Sequence, residues 1–106
     1  MDLKEIQKLK REFAKERGWD KNRASNVFVH LIEELGEVGR YISFDEGYKK
    51  KMDGGGRTID KDEMSREIAQ VFLLFLQLAS YYDIDLEQAT LKELEIAKDR
   101  FKIENQ

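Results

Sequence analysis

The chain lacks cysteine and proline altogether, and it has one histidine and one tryptophan among 106 residues. Without cysteine there is no disulfide and no thiolate metal site, and no redox role is indicated. Without proline no helix is interrupted from within, and three of the seven glycines are consecutive, at residues 54–56. Both features favour long helices. A charge excess of one sign is also missing: 19 Lys and Arg face 22 Asp and Glu, for a net charge of −3. A nucleic-acid polymer as partner is therefore not expected, because that footprint is a clustered basic excess. The longest apolar run, VFLLFLQLA at residues 71–79, is far short of the roughly 20 residues that span a bilayer, so no membrane span is expected. The opening MDLKEIQKLKREF is charged and amphipathic and has no signal-peptide core, which makes a cytoplasmic location the expectation.

What the chain does have is apolar residues at helical spacing. The length suits one domain, residues 1–106. Helices are predicted at about residues 2–17, 25–44, 60–82 and 85–103. The first carries Leu3, Ile6, Leu9 and Phe13 on one stripe, with Gly18 as its C-terminal cap. The second carries Val27, Phe28, Leu31, Ile32, Leu35, Val38 and Ile42 on a broad face, with Ser25 as candidate N-cap. Capping-box patterns, Asp60 to Glu63 and Asp85 to Gln88, open the third and fourth. Leu86, Ala89, Leu94, Ala97 and Phe101 of the fourth are expected to face inward. The fold class is thus all-α, a four-helix bundle with one long central loop at about 45–59. That loop reads either as a plain linker or as a lid over a site. From Val71 to Ala79 the third helix is apolar nearly all round and needs cover on more than one side. A second copy of the chain is a natural cover, so a homodimer is expected.

The second helix also holds HLIEELGEVGRYI, residues 30–42. On a helix Glu34 and Glu37 lie about 60° apart, on the stripe shared by His30 and Tyr41 and beside the apolar Leu31, Leu35 and Val38. Two carboxylates at the seam of a bundle repel each other and resist desolvation. A hard divalent cation relieves both effects. The third helix offers Glu63, Glu67 and Gln70 at spacings of four and three, next to Val71 and Leu74. Paired acids on two facing helices are one way to hold a metal in a bundle. The plainer reading of each remains open: a solvated glutamate edge, a partly buried His30, Trp19 as a core anchor, and Arg100 as a surface residue.

The stretch FAKERGWDKNRASNVFVHLIEELGEVGRYI, followed by REIAQVFLLFLQLASYYDIDLEQATLKELEIAKDRF, resembles the MazG-like all-α nucleoside triphosphate pyrophosphohydrolases over about Phe13 to Phe101. In that family a tryptophan-containing turn precedes an E-E-x-x-E helix. An E-x-x-D pair then heads an apolar helix, and a final helix ends in a basic-aromatic pair. The resemblance implies a four-helix fold assembled as dimers or tetramers. It also implies Mg²⁺-dependent cleavage, with Mn²⁺ as the alternative ion, of a nucleoside triphosphate to a monophosphate and pyrophosphate. The metal ligands it implies are Glu34, Glu37 and Glu67, with Gln70 standing where the family has aspartate. Glu33 or Glu37 is the implied catalytic carboxylate that positions or deprotonates water. Trp19, His30 and Arg100 are the candidate substrate contacts. Glu93 and Ala97 stand where the family usually has lysine and asparagine, so the chain departs from the pattern at residues 70, 93 and 97. Lys49 to Lys51 or Arg57 of the central loop are the candidate replacements for the missing positive charge. A catalytically weakened relative that binds a nucleotide or a protein is the alternative reading.

Overall fold

A computed structural model describes residues 1–47 and 60–103. Helix α1 spans Leu3–Glu16. It starts where extended Asp2 accepts a hydrogen bond from the Glu5 N–H at 2.8 Å, satisfying one of the donors a helix leaves open at its start. It stops at Gly18, whose φ of 73° lies in the left-handed region and whose N–H reaches the Lys15 carbonyl at 3.1 Å. A single 3₁₀ turn, Trp19–Lys21, leads into α2, Ala24–Asp45. Helices α3, Lys61–Tyr81, and α4, Leu86–Arg100, begin at Asp60 and Asp85. Asp60 accepts from the Asp62 N–H at 2.9 Å and Asp85 from the Gln88 N–H at 3.1 Å. The described residues contain no strand, so the chain is all-α. No helix among them is long and apolar enough to cross a membrane.

Helix α3 is the centre, with α1 and α2 both packed against it. The core is built from Val27 and Leu31 of α2 on Leu74 of α3, flanked by Leu78 and Tyr81. Ala14, Val38, Phe44, Val71, Leu76 and Ala79 are also buried.

Three expectations need correction. Ser25 is not the N-cap of α2: the helix starts at Ala24, after Asn22 and Arg23 in extended backbone, and Arg23 makes no side-chain cap. On α1 the buried residues are Gln7 and Ala14, whereas Leu9 and Phe13 are half exposed. Gln7 turns inward because its amide has partners there: Nε2 donates to Ser80 Oγ (3.2 Å) and to the Ile84 carbonyl (2.8 Å), and Oε1 accepts from the Leu86 N–H (3.0 Å). Finally, α4 buries no residue, and Leu94 and Phe101 are 53% and 72% exposed. Among the described residues the helix packs chiefly against α1, which leaves its apolar side open. The radius of gyration, 17.6 Å, exceeds the roughly 13 Å of a compact chain of this length accordingly.

Further apolar surface stays open on the other two helices. Phe28, Val29, Ile32, Leu35 and Ile42 of α2 and Ile68, Phe72 and Phe75 of α3 are all more than 40% exposed. The predicted central loop lies, from residue 48 onward, outside the described residues. Lys49 to Lys51, Arg57 and the lid reading fall there too.

Candidate functional site

The packing of α2 on α3 sets Glu34 against Glu67. Glu67 sits four residues before buried Val71 and Glu34 three after buried Leu31 on its own helix, so each leaves the core on the inner edge. Glu67 Oε2 is buried and receives no hydrogen bond. Desolvation pushes the Glu67 carboxyl above the ordinary carboxylate range. The adjacent Glu34 carboxyl, by hydrogen bonding and by its charge, and the charge of Glu37 push the same way, opposed by Arg66. Two carboxylates in contact can hydrogen-bond only if one holds a proton, so in this arrangement the pair favours a shared proton or a bound cation. His30 Nε2 lies 3.4 Å from Glu34 Oε1, one helical turn away.

Beside this pair is a cavity of about 340 Å³, lined at one end by Glu34, His30 and Gln70 and at the other by Trp19, Asn22 and Lys10. Its volume lies in the range that accommodates small organic ligands. The rim at Trp19 is fixed from α3: the Tyr81 hydroxyl donates to the Asn22 carbonyl and lies 3.3 Å from the Trp19 carbonyl. Trp19 also meets Phe13 edge-on, with ring centroids 5.6 Å apart.

Of the residues singled out in the sequence, Trp19, His30, Glu34 and Gln70 therefore share one cavity, and Glu67 joins them through Glu34. Glu33 and Glu37 are exposed on α2. Among the described residues no group of three or more His, Cys, Asp or Glu side chains closes on one point. Arg100 stands apart at the end of α4, its guanidinium 5.5 Å from the Phe101 ring. The sequence reading missed Lys10, Asn22, Asn26 and Gln77 as cavity residues. The available signal was Lys10 lying four before Ala14 and three after Gln7, on the stripe that α1 turns inward.

Does the site suit a divalent cation? Glu67 Oε2 is a buried oxygen without a donor, next to a second carboxylate, with the Gln70 amide oxygen a further hard donor on the cavity wall. Magnesium commonly uses one or two carboxylates and keeps water and phosphate in its remaining positions, so a two-carboxylate site suffices.

The chain is similar to proteins named dCTP pyrophosphatase 1: 28% identical to that of Homo sapiens over 105 residues, covering 93% of this chain and 58% of the relative. Identity to the Mus musculus and Bos taurus proteins is 25%, each over 95% of this chain and 59% and 60% of the relative. The chain thus spans about three fifths of the length of these relatives. It matches no family model. No solved structure matches it.

Proposed function

We propose that the chain is a single MazG-like helical domain acting as a metal-dependent nucleotide pyrophosphohydrolase, converting a nucleoside triphosphate to its monophosphate and pyrophosphate. The observation that carries this reading is the apposed Glu34–Glu67 pair beside a cavity of nucleoside size. The similarity to proteins named dCTP pyrophosphatase 1 supports it independently.

Glu34, Glu67 and Gln70 would hold Mg²⁺ or Mn²⁺, with Glu37 one turn along α2 adding negative charge. When bound, the ion would neutralise phosphate charge and supply Lewis acidity at the scissile phosphorus–oxygen bond. The protein residues do the rest. Trp19 offers an aromatic surface for the base at the far end of the cavity. His30, with Nε2 3.4 Å from Glu34 Oε1, keeps that carboxylate aimed at the cavity and presents a ring nitrogen toward the sugar and phosphates. Glu37, or Glu33 beside it, accepts the proton of the attacking water, a role in which solvent exposure helps because the proton must leave. Arg100, distant within one chain, meets substrate only across an assembly interface. The exposed apolar faces of α2 and α3 support such an interface, a homodimer or tetramer.

A second reading is favoured by Gln70, which removes a charge from the donor set and cannot serve as a base, and by the absence of a third gathered acid among the described residues. It is a nucleotide- or protein-binding module with weak or no turnover. Pyrophosphate release from a panel of nucleoside triphosphates, with Mg²⁺, with Mn²⁺ and with chelator, separates the two. Metal-dependent release that disappears in Glu67→Gln supports the enzyme. Nucleotide binding without release supports the module.

A further inference from the structure

One charged group of the cavity has no part in catalysis. Lys10 reaches the cavity from α1, and its Nζ lies 5.4 Å from the centre of the Phe13 ring and 5.5 Å from that of Trp19. Among the described residues it is held by these aromatic faces and is paired with no carboxylate. Burial lowers its pKa from the ordinary lysine value, and the charge of Arg17 adds to that. Such a group has three N–H donors, accepts nothing, and is short of hydrogen-bond acceptors.

We propose that Lys10 selects the nucleobase: its ammonium donates to a ring carbonyl at the Trp19 end of the cavity, so that uracil or thymine is favoured over cytosine. The proposal rests on reading the cavity as a nucleoside triphosphate site. Hydrogen-bonding capacity at the two ends decides the argument. At the Trp19 end the charged group, the Lys10 ammonium, can only donate, whereas Asn22, Asn26 and Gln77 are amides that turn to donate or accept. The obligatory acceptor, Glu34, lies at the carboxylate end, where the phosphates must be. A base with a carbonyl at its 4-position gives that ammonium an acceptor, and its ring N–H finds an amide oxygen. Cytosine carries an amino group at that position, a donor facing the ammonium, and its acceptors lie elsewhere on the ring, at O2 and N3. A site built to donate rejects an analogue that leaves its donor unmatched. The relatives are named for dCTP, so the proposal sets this chain apart from them.

The test compares dUTP, dTTP and dCTP as substrates, and the non-hydrolysable α,β-imido analogues of dUTP and dCTP as ligands by calorimetry, for wild type, Lys10→Met and Lys10→Arg. Circular dichroism first establishes that each variant is folded. The wild type is expected to favour dUTP and dTTP over dCTP by about tenfold or more in kcat/KM, the effect of one charge-assisted hydrogen bond. Lys10→Met should abolish most of that ratio by lowering the uracil and thymine values, and Lys10→Arg should retain it. If no triphosphate is hydrolysed yet imido-dUTP binds more tightly than imido-dCTP in a Lys10-dependent manner, base selection stands and the enzymatic reading falls. If hydrolysis proceeds but dCTP is preferred, or Lys10→Met weakens every nucleotide equally, base selection is overturned and Lys10 serves the phosphates instead. Absence of any nucleotide binding overturns both.

Discussion

The Tyr81 hydroxyl at the end of α3 donates to the Asn22 carbonyl and also faces the Trp19 carbonyl, fastening the turn between α1 and α2 to the central helix. This contact holds the aromatic rim of the cavity in place. Tyr81→Phe keeps the ring packed beside Val27, Leu31 and Leu74 and removes only the donor. The expected loss is about 1 kcal/mol, or about 5 °C in Tm for a domain of this size. Nucleotide affinity should fall along with it as Trp19 loosens. Differential scanning fluorimetry and calorimetry measure the two effects.

Glu67 makes stability depend on pH. Its folded pKa is raised above the ordinary 4.5, by desolvation first and then by Glu34 and Glu37. Above 4.5 the unfolded chain therefore releases this proton before the folded chain does. Stability from this group should fall as pH rises from about 4.5 through the raised folded value. Glu67→Gln removes the penalty, since its amide can donate to Glu34. Without metal, the variant should melt higher than wild type at neutral pH and show a flatter Tm profile across that window. With Mg²⁺ the order should reverse. An unchanged profile would mean that Glu67 carries no coupled charge.

Gln70→Asp adds a carboxylate on the cavity wall. Mg²⁺ binding should tighten by about tenfold, about 1.4 kcal/mol. Because residue 70 is exposed, the added charge should cost little when metal is absent. Titration of metal-induced stabilisation for both proteins checks this, and equal curves would remove residue 70 from the ligand set.

Gln7 should be among the costliest polar residues to replace. Gln7→Leu preserves most of the volume but leaves the Ile84 carbonyl and the Leu86 N–H without their partner. A loss of about 2–3 kcal/mol is expected from the unpaired groups, measured by urea denaturation. A near-neutral result would mean that water reaches these groups.

The open apolar faces lead to a prediction about assembly. Light scattering should find wild type as a dimer or larger, and Phe75→Glu should shift it toward monomer while preserving helicity. Phe75 is 44% exposed within one chain, so the substitution disturbs the interface more than the core.

The sequence made the helices legible and their facing much less so. Asp60, Asp85 and Gly18 carry local signals, since a cap is satisfied by residues within one turn, and all three cap as their type suggests. Facing depends on distant partners. Gln7 looks like a surface residue until Ser80, Ile84 and Leu86 arrive to bond it. The apolar spacing of Leu94 and Phe101 points inward, but the described residues leave both exposed. The same split runs through the site. Glu34, Gln70 and His30 stood out by residue type and spacing, and Trp19 through the family resemblance. Lys10 did not, because a lysine among many lysines acquires meaning only from the cavity it enters.

The bonds of Gln7 also set a timetable. They join residue 7 to residues 80, 84 and 86, separations of 73, 77 and 79 along the chain. On the ribosome α1 is made before α3, and its buried amide has no partner until α3 and the turn after it have emerged. Contacts this remote in sequence slow folding, because the intervening chain must be ordered before they form. Helix α1 is thus among the last to be locked, and α2, with a single turn between them, must wait beside it with its apolar face uncovered.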